Sequence, residues 1–226
     1  SFASVCHMES PVSPESIFDL PELPPGFLVS LRHAAWETGI NRLAFVGGSV
    51  RDLMLRNIQP NNRRKLLDID LVVEGSAEDL AKSLQKGLGS ERVSQLRVHE
   101  AFQTVEMIID EIFIDIASAR EETYQKPANN PVLSAGTLEK DLSRRDLNIN
   151  AMAIEILNTD LLDLHGGITA LNRREMDFLH SESVVDDPTR IIRAARYAAR
   201  LSFELSESGL YQVQNALRCW PWGWQQ

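Results

Sequence analysis

The spacing of apolar residues changes along the first part of the chain from a helical period to a strand period. Between residues 27 and 36 the apolar positions recur on one helical face, and Gly39 follows as a stop signal. A short apolar run at 43–46 predicts a strand, and residues 49–56 predict a helix directly after the glycine pair at 47–48. This part of the chain therefore predicts a helix, a strand, a glycine turn and a second helix.

Helical and strand patterns continue through the middle of the chain. Residues 77–88 form an amphipathic helical pattern that ends at two glycines. The predicted strands lie at 66–73, 93–98, 104–109 and 111–116, and the last two are close enough for a hairpin. The sequence up to this point predicts a mixed α/β unit.

Strand signals weaken from about residue 138 onward. We expect helices over residues 142–157 and 187–201, with Pro188 in the first turn of the second helix and a turn at 165–167 between the two. Residues 121–138 are expected to form a loop. The second half of the chain is therefore predicted to be mainly helical.

These patterns divide the chain into three parts. Residues 1–25 hold half of the prolines and show no apolar period, which indicates an extended arm. Residues 26–140 carry the mixed pattern, and residues 141–226 are mainly helical. The predicted fold class is α+β (mixed α/β), with a small mixed sheet flanked by helices and followed by a helical region. The chain begins with Ser1, which suggests a processed or partial sequence.

The composition is that of a soluble globular protein. With 226 residues, of which 43% are hydrophobic, the chain can bury a sizeable core. No apolar run approaches the length of a membrane span and no basic, apolar leader opens the chain, so we expect a cytoplasmic protein. A location in an organelle is left open. The two cysteines, Cys6 and Cys219, have the spacing of neither a disulfide framework nor a zinc site.

The net charge of −9 argues against a generally basic nucleic-acid-binding surface, so a polyanion would have to be bound locally. The predicted helix at 187–201 offers one such place, because Arg190, Arg193, Arg196 and Arg200 follow at spacings of three, three and four. No acidic residue lies among them, and guanidinium groups fit phosphate and carboxylate. We favour anion binding over a solvated helix face.

Three aspartates lie in apolar strand patterns. Asp68 and Asp70 are two residues apart in the strand predicted at 66–73, so the period of two puts both on one face. Asp115 lies within another apolar strand, where an unpaired carboxylate would be costly to bury. An isolated Asp-x-Asp more often faces solvent, but three carboxylates on neighbouring strands form an oxygen cluster suited to Mg²⁺. The sequence therefore predicts phosphoryl chemistry with two Mg²⁺ ions.

Gly47 and Gly48 end one predicted strand and open a helix. Such a turn lets the backbone approach a ligand and directs helix N–H groups at an anion, to which Arg51 could add a guanidinium. The pair is also common in ordinary turns, and it matches neither the P-loop nor the dinucleotide fingerprint. The Arg-Arg-Asp stretch at 144–146 likewise fits ligand binding or a solvated helical turn.

Five short segments occur in a particular order. They are Val-Gly-Gly-Ser-Val-Arg-Asp at 46–52, Asp-Ile-Asp at 68–70, Asp-Ile-Ala-Ser-Ala-Arg at 115–120, Arg-Arg-Asp-Leu-Asn-Ile-Asn-Ala at 144–151 and Asp-Pro-Thr-Arg-Ile-Ile-Arg at 187–193. In order and spacing these segments resemble the motifs of the class II tRNA nucleotidyltransferase and bacterial poly(A) polymerase family. The resemblance extends over most of the chain after the arm.

This resemblance implies a polymerase-beta-type nucleotidyltransferase head over residues 26–140 and a helical neck over residues 141–226. It also implies that Asp68, Asp70 and Asp115 are catalytic and that Asp68 and Asp70 hold Mg²⁺. The residues that it implies for nucleotide binding are Gly47, Gly48, Ser49, Arg51, Arg145, Asp146, Asp187, Arg190, Arg193 and Arg196.

The implied activity is template-independent transfer of CMP, AMP or both from CTP and ATP to the 3′ end of tRNA. Poly(A) polymerases share the head motifs, so tailing of general RNA is the first alternative. A noncatalytic nucleotide- or RNA-binding module is the second, because no segment after Arg200 matches the Glu-Asp-x-x-Arg helix that reads the base in this family, and we expect an incomplete neck. A metal-binding scaffold without nucleotide is the third. The choice among CCA, CC and A addition is left open, as is the oligomeric state.

Overall fold

The computed structural model describes residues 20–59 and 68–219. Most of the arm predicted at 1–25 lies outside these residues, as do the first two positions of the strand predicted at 66–73.

The first half of the chain contains the predicted elements in the predicted order. They are α1 (Phe27–Glu37), β1 (Leu43–Val46), α2 (Gly47–Ile58), β2 (Asp68–Val73), α3 (Ala77–Leu88), β3 (Val93–His99), β4 (Thr104–Ile109) and β5 (Ile112–Ser118). A 3-10 turn at Glu100–Phe102 connects β3 to β4. Of these elements, β1, α3 and β4 have the predicted bounds, and α2 begins earlier than predicted because both glycines belong to its first turn.

The second half contains short strands between helices of four to twelve residues. Its elements are β6 (Arg120–Thr123), β7 (Val132–Ala135), α4 (Leu138–Ser143), β8 (Ala153–Glu155), β9 (Leu161–Leu162), α5 (Gly167–Arg173), β10 (Glu175–Met176), α6 (Ser183–Asp186), α7 (Arg190–Leu201), β11 (Glu204–Leu205) and α8 (Glu207–Arg218). A second 3-10 turn spans Asn148–Asn150.

A seven-stranded mixed sheet with the order β3-β4-β5-β2-β1-β8-β9 forms the centre of the molecule. β2 and β5 run parallel, and the other neighbouring strands of this sheet are antiparallel. β6 and β7 form a separate antiparallel hairpin, and β10 pairs with β11. The predicted α+β class, with a mixed sheet flanked by helices, is confirmed.

The two faces of this sheet differ in how they are covered. α1, α2 and α3 pack on one face, where Ile69 and Leu71 of β2 contribute to the main hydrophobic core. Because side chains alternate along a strand, Asp68 and Asp70 project from the opposite face. α4 covers part of that second face, where Leu142 joins a smaller apolar cluster with residues of β1 and β2. Over Asp68 and the neighbouring positions of β5 the second face is exposed to solvent.

The helix predicted over residues 142–157 is wrong. α4 ends at Ser143, and β8 then joins the sheet beside β1. Residues 151–154 are completely buried, so this run has no polar side that could reveal its period. A continuous apolar run of this kind fits a buried strand as well as a buried helix.

Two further expectations for the second half need correction. Residues 121–138, expected as a loop, contain most of the β6–β7 hairpin. β7 is exposed along its whole length, so its sequence lacks the alternation that marks a half-buried strand. The helix expected from residue 187 begins at Arg190, because the preceding turn is closed by hydrogen bonds from the N–H and hydroxyl of Thr189 to Asp187.

β8 and β9 lie beyond residue 140 and complete the central sheet. A division of the chain at residue 140 would separate them from β1, and this division stays a prediction. Within the described ranges, 20–59 and 68–219, no helix combines the length and the hydrophobicity that a membrane span requires.

Candidate active site

The parallel pairing of β2 with β5 brings the three predicted aspartates to one face of the sheet. In the register of this pair Asp70 lies opposite Asp115, and Asp68 lies opposite Phe113. Paired positions of neighbouring strands project to the same side, so the three carboxylates share the open face. Sequence reasoning expected Asp115 to be buried, whereas this residue is exposed to solvent on that face.

The proximity of these carboxylates changes their acidity. Burial raises the pKa of Asp70 to about 6; the guanidinium of Arg145 opposes this rise, and the carboxylates of Asp115 and Asp68 add to it. The pKa of Asp115 is raised by its remaining desolvation and by the negative charges of Glu106 and Asp68. The face therefore carries surplus negative charge that a cation would relieve.

The donor chemistry of this face fits Mg²⁺. Asp68 and Asp70 offer carboxylate oxygens on one side of a single strand, and Mg²⁺ commonly takes one or two carboxylates together with waters and phosphate oxygens. Among residues 20–59 and 68–219 no three acidic, histidine or cysteine side chains converge closely enough to hold a metal by themselves. The fit is thus to an ion whose coordination a substrate phosphate completes.

The glycine turn at the start of α2 lies directly beside Asp70. Gly47 has a φ of 66°, and a Cβ at this position would lie 3.2 Å from Nη1 of Arg145 and 3.5 Å from Oδ2 of Asp70. Val46, the N-cap residue of α2, makes no side-chain capping hydrogen bond. Glycine is therefore needed here both for its backbone angle and for the space beside two polar groups.

Gly47, Gly48 and Asp70 lie on the wall of a cavity of about 680 Å³. The other residues that line it are Phe102, Arg120, Glu122, Tyr124, Asn130, Pro131, Leu133, Arg144, Arg145, Asp146, Asn150, Asp187, Arg190, Arg193 and Tyr197. Five of these residues are arginines. Four others, Asp70, Glu122, Asp146 and Asp187, are acidic, so the lining carries one more basic than acidic residue.

Several arginine donors in this wall are not used by the protein itself. The Nε atoms of Arg120, Arg145 and Arg190 are buried and have no hydrogen-bond partner in the part of the chain that the structure describes. A buried guanidinium N–H without an acceptor is energetically costly. These three guanidiniums are therefore not fully satisfied within the described part of the protein.

The arginines of α7 pair with carboxylates from other segments. Arg193 donates to Oδ2 of Asp146 and to Oδ2 of Asp187, both at 3.1 Å. Despite the burial of Asp187, hydrogen bonds from Thr189 and Arg193 lower its pKa. Arg190 is buried, and its guanidinium donates to the backbone oxygens of Ser183 and Arg144.

Arg196 is exposed and is not among the residues that line the cavity.

Two of the residues predicted for nucleotide binding lie behind the cavity wall. Ser49 is buried, and its hydroxyl donates to the backbone oxygen of Val46. Arg51 is 2% exposed, donates to Asp52 and Asn150, and lies 5.0 Å from the ring centroid of Tyr197 in α7. These two side chains support the glycine turn and join α2 to α7.

Sequence reasoning missed the contribution of the β6–β7 hairpin. Glu122 accepts hydrogen bonds from Arg144 and from the hydroxyl of Tyr124, and it forms an ion pair with Arg120. The alternation of Arg120, Glu122 and Tyr124 at a spacing of two could have indicated a strand with one polar face. Asp141, which is completely buried below the arginines, was also missed.

The Poly A polymerase head domain family matches residues 43–177 of the chain. The A-adding tRNA nucleotidyltransferase of Aquifex aeolicus (strain VF5) is 40% identical over 172 residues, which are 74% of this chain and 19% of that relative. The CC-adding tRNA nucleotidyltransferase of Deinococcus radiodurans is 37% identical over 194 residues, which are 81% of this chain and 49% of that relative. The chain thus spans half or less of the length of these relatives.

A solved structure of a tRNA nucleotidyltransferase, complexed with a primer tRNA and an incoming ATP analog, is similar with a TM-score of 0.69 and 33% identity. The similarity covers 84% of this chain and 50% of that chain. The family match spans more than half of the chain and includes the paired aspartate strands, the glycine turn and the arginines that follow α4. The chain therefore belongs to the Poly A polymerase head domain family.

Proposed function

We propose that this chain is the nucleotide-adding part of a tRNA nucleotidyltransferase. The proposed reaction transfers CMP, AMP or both from CTP and ATP to the 3′ end of tRNA and releases pyrophosphate. The observation that carries the proposal is the register of β2 and β5, which sets Asp70 opposite Asp115 beside the arginine-lined cavity that begins at Gly47. A nucleotidyl transfer needs an anion-binding site and a group that receives the hydroxyl proton next to each other.

Each part of the site has a role in this proposal. Asp68 and Asp70 would hold Mg²⁺, which supplies a lower pKa for the attacking hydroxyl and neutralises phosphate charge. Asp115 faces solvent on the same side of the sheet and would accept the hydrogen bond of the 3′-hydroxyl. The α2 N-terminus and Arg145 would bind the triphosphate, and Asp146, Asp187, Arg190 and Arg193 would contribute the rest of the nucleotide site from the cavity lining.

The relatives support tRNA as the substrate class. One similar enzyme adds A and another adds CC, at 40% and 37% identity to this chain. A solved relative is complexed with a primer tRNA and an ATP analog. Because the two relatives differ in the nucleotide that they add, the proposal includes both CMP and AMP.

The test is incorporation of labelled CTP and ATP into tRNA that lacks its CCA end, by this chain and by a version extended beyond residue 226. Asp70→Ala should abolish incorporation, by about 1000-fold or more, since it removes a metal-binding carboxylate. Asp79→Ala on the exposed side of α3 is the matched control and should retain full activity. Unchanged turnover in Asp70→Ala would refute the proposal.

Poly(A) tailing is the second candidate, because the matched family is described as the Poly A polymerase head domain. Product length separates the two activities. A tRNA nucleotidyltransferase stops after at most three additions and prefers tRNA, whereas a tailing enzyme extends a generic RNA without a defined end. Binding of ATP and CTP without incorporation, even by the extended chain, would instead support a noncatalytic module.

A further inference from the structure

Arg144 and Arg145 are neighbours in sequence and share one buried carboxylate. Asp141 is completely buried in the last turn of α4. Its Oδ2 accepts from Nε and Nη2 of Arg144, at 3.2 and 3.1 Å, and its Oδ1 accepts from Nη2 of Arg145 at 3.1 Å. Oδ2 also accepts the backbone N–H of Arg120 at 3.2 Å, so Asp141 joins both guanidiniums to the start of β6.

The protein uses the guanidinium of Arg144 on all sides. Besides the two bonds to Asp141, its Nη1 donates to Glu122 at 3.2 Å. Glu122 has a side chain that is only 9% exposed. Since Arg144 lies between two buried carboxylates, its charge is balanced within the protein. Arg144 therefore connects α4 to the β6–β7 hairpin through its ion pairs with Asp141 and Glu122.

Arg145 differs from Arg144 because part of its guanidinium makes no hydrogen bond within the described part of the protein. Its Nε is buried and has no hydrogen-bond partner among the residues that the structure describes. Its Nη1 lies 3.2 Å from the place that a Cβ would take at Gly47. The bond to Asp141 therefore holds one edge of the guanidinium and leaves Nη1 at the glycine turn, on the cavity wall.

We propose that Asp141 is a positioning residue that orients Arg145 toward the phosphates of the incoming nucleotide. The proposal rests on the nucleotide-binding function proposed for the cavity. Asp141 is completely buried and lies behind the arginines, so it acts on the ligand through Arg145 and does not touch it. One carboxylate cannot neutralise two guanidiniums, so positive charge remains for an anion. The hydrogen bond to Asp141 fixes the orientation of the Arg145 guanidinium.

A positioning role differs measurably from a structural one. Loss of a buried carboxylate lowers stability in either case. A residue that acts through Arg145 should have no further effect on phosphate binding once Arg145 is removed, which a double-mutant cycle detects. In the active enzyme, substitution of such a residue should also raise KM for the nucleotide more than it lowers kcat.

The experiment measures the affinity of the chain for inorganic tripolyphosphate and for ATP by titration calorimetry. Asp141→Asn and Arg145→Ala should each weaken tripolyphosphate binding about tenfold or more, and the double variant should bind no more weakly than Arg145→Ala alone. Asp163→Asn is the matched control, since Asp163 also accepts partly buried hydrogen bonds, from the N–H groups of Gly167 and Ile168, but lies outside the cavity.

A second comparison does not depend on whether Asp141→Asn folds. Arg145→Ala should weaken tripolyphosphate binding and lower the melting temperature less than Arg144→Ala, which loses three side-chain hydrogen bonds against one and should mainly affect stability. Unchanged binding in Asp141→Asn, additive losses in the double variant, or equal behaviour of the two arginine variants would overturn the proposal, as would a wild-type chain that does not bind tripolyphosphate. Tripolyphosphate binding with the expected cycle, but without nucleotide incorporation, would refute the proposed function and leave the role of Asp141 standing.

Discussion

Gly47 illustrates at the scale of one residue how backbone conformation and ligand space coincide. A side chain at this position would have to adopt a φ of 66° and would crowd the guanidinium of Arg145. The glycine pair was visible in the sequence, but its significance was not, because most such pairs only form turns. What distinguishes it is the presence of Arg145 and Asp70 beside it, which only the fold reveals.

We therefore expect Gly47→Ala to weaken tripolyphosphate binding about tenfold, because the new methyl group displaces Nη1 of Arg145. Gly39→Ala is a matched control: Gly39 has a φ of 69° and nothing within 4 Å of its Cβ position. Both variants should lose about 1–2 kcal/mol of stability through left-handed backbone strain. Equal affinities in the two variants would show that the space beside Gly47 is not part of the binding site.

Asp70 should make the metal-free protein less stable at neutral pH. Its folded pKa, raised by burial to about 6, lies above its ordinary value of 3.8. The folded state therefore binds the proton more tightly than the unfolded state, so the stability falls as the pH rises between these two values. Asp70→Asn should accordingly raise the free energy of unfolding in EDTA at pH 7.5, by at most about 3 kcal/mol.

Urea unfolding of both proteins in EDTA at pH 4 and pH 7.5 measures this difference. The gain from Asp70→Asn should shrink toward pH 4, where the native carboxyl is protonated. Asp68→Asn, whose side chain is exposed, should change the stability little. A variant that is less stable at pH 7.5 would mean that Arg145 already compensates the charge of Asp70.

At the scale of elements, the parallel pairing of β2 and β5 creates the site. The pattern predicted each strand and put Asp68 and Asp70 on one face of β2, because an amphipathic period is local in sequence. It did not predict which strands are neighbours, since β3 and β4 separate the two strands in the chain. The meeting of Asp70 with Asp115 was thus a hypothesis from carboxylate chemistry, to which the family resemblance added support, and the sheet order supplies its geometry.

The elements that the sequence pattern did not predict are those whose side chains are all buried or all exposed. Residues 151–154 are buried on all sides and β7 is exposed throughout, so neither segment alternates. The regularly spaced arginines of α7 were recognised, but the sequence pattern did not show their acidic partners; Arg193, for instance, pairs with Asp146 from a distant segment. Local patterns therefore identified the arginines but could not show which of them are already neutralised by the protein.

At the scale of the whole molecule, distant parts of the chain together form the cavity. The net charge is −9, yet five arginines line the cavity. Three of them come from the β6 strand and from the residues that follow α4, and two come from α7. Both halves of the chain therefore contribute to the cavity, so a division of the chain between them would separate residues of the proposed binding site.

The sheet topology predicts that a fragment ending at residue 140 does not fold cooperatively. Such a fragment removes β8 from the side of β1 and with it completely buried side chains such as Leu147, Met152 and Ile154. Each buried side chain of this size contributes roughly 1.5–3 kcal/mol, and the whole stability of a domain is about 5–15 kcal/mol. A fragment ending at residue 178 keeps all seven strands of the sheet.

Thermal unfolding followed by circular dichroism separates the two fragments. The longer one should unfold cooperatively, at a lower temperature than the whole chain because it lacks the packing of Leu201 and Phe203 on the core. The shorter one should show no transition. A cooperative transition in the fragment that ends at 140 would instead place the domain boundary there, and the strands β8 and β9 would then be additions to an already stable sheet.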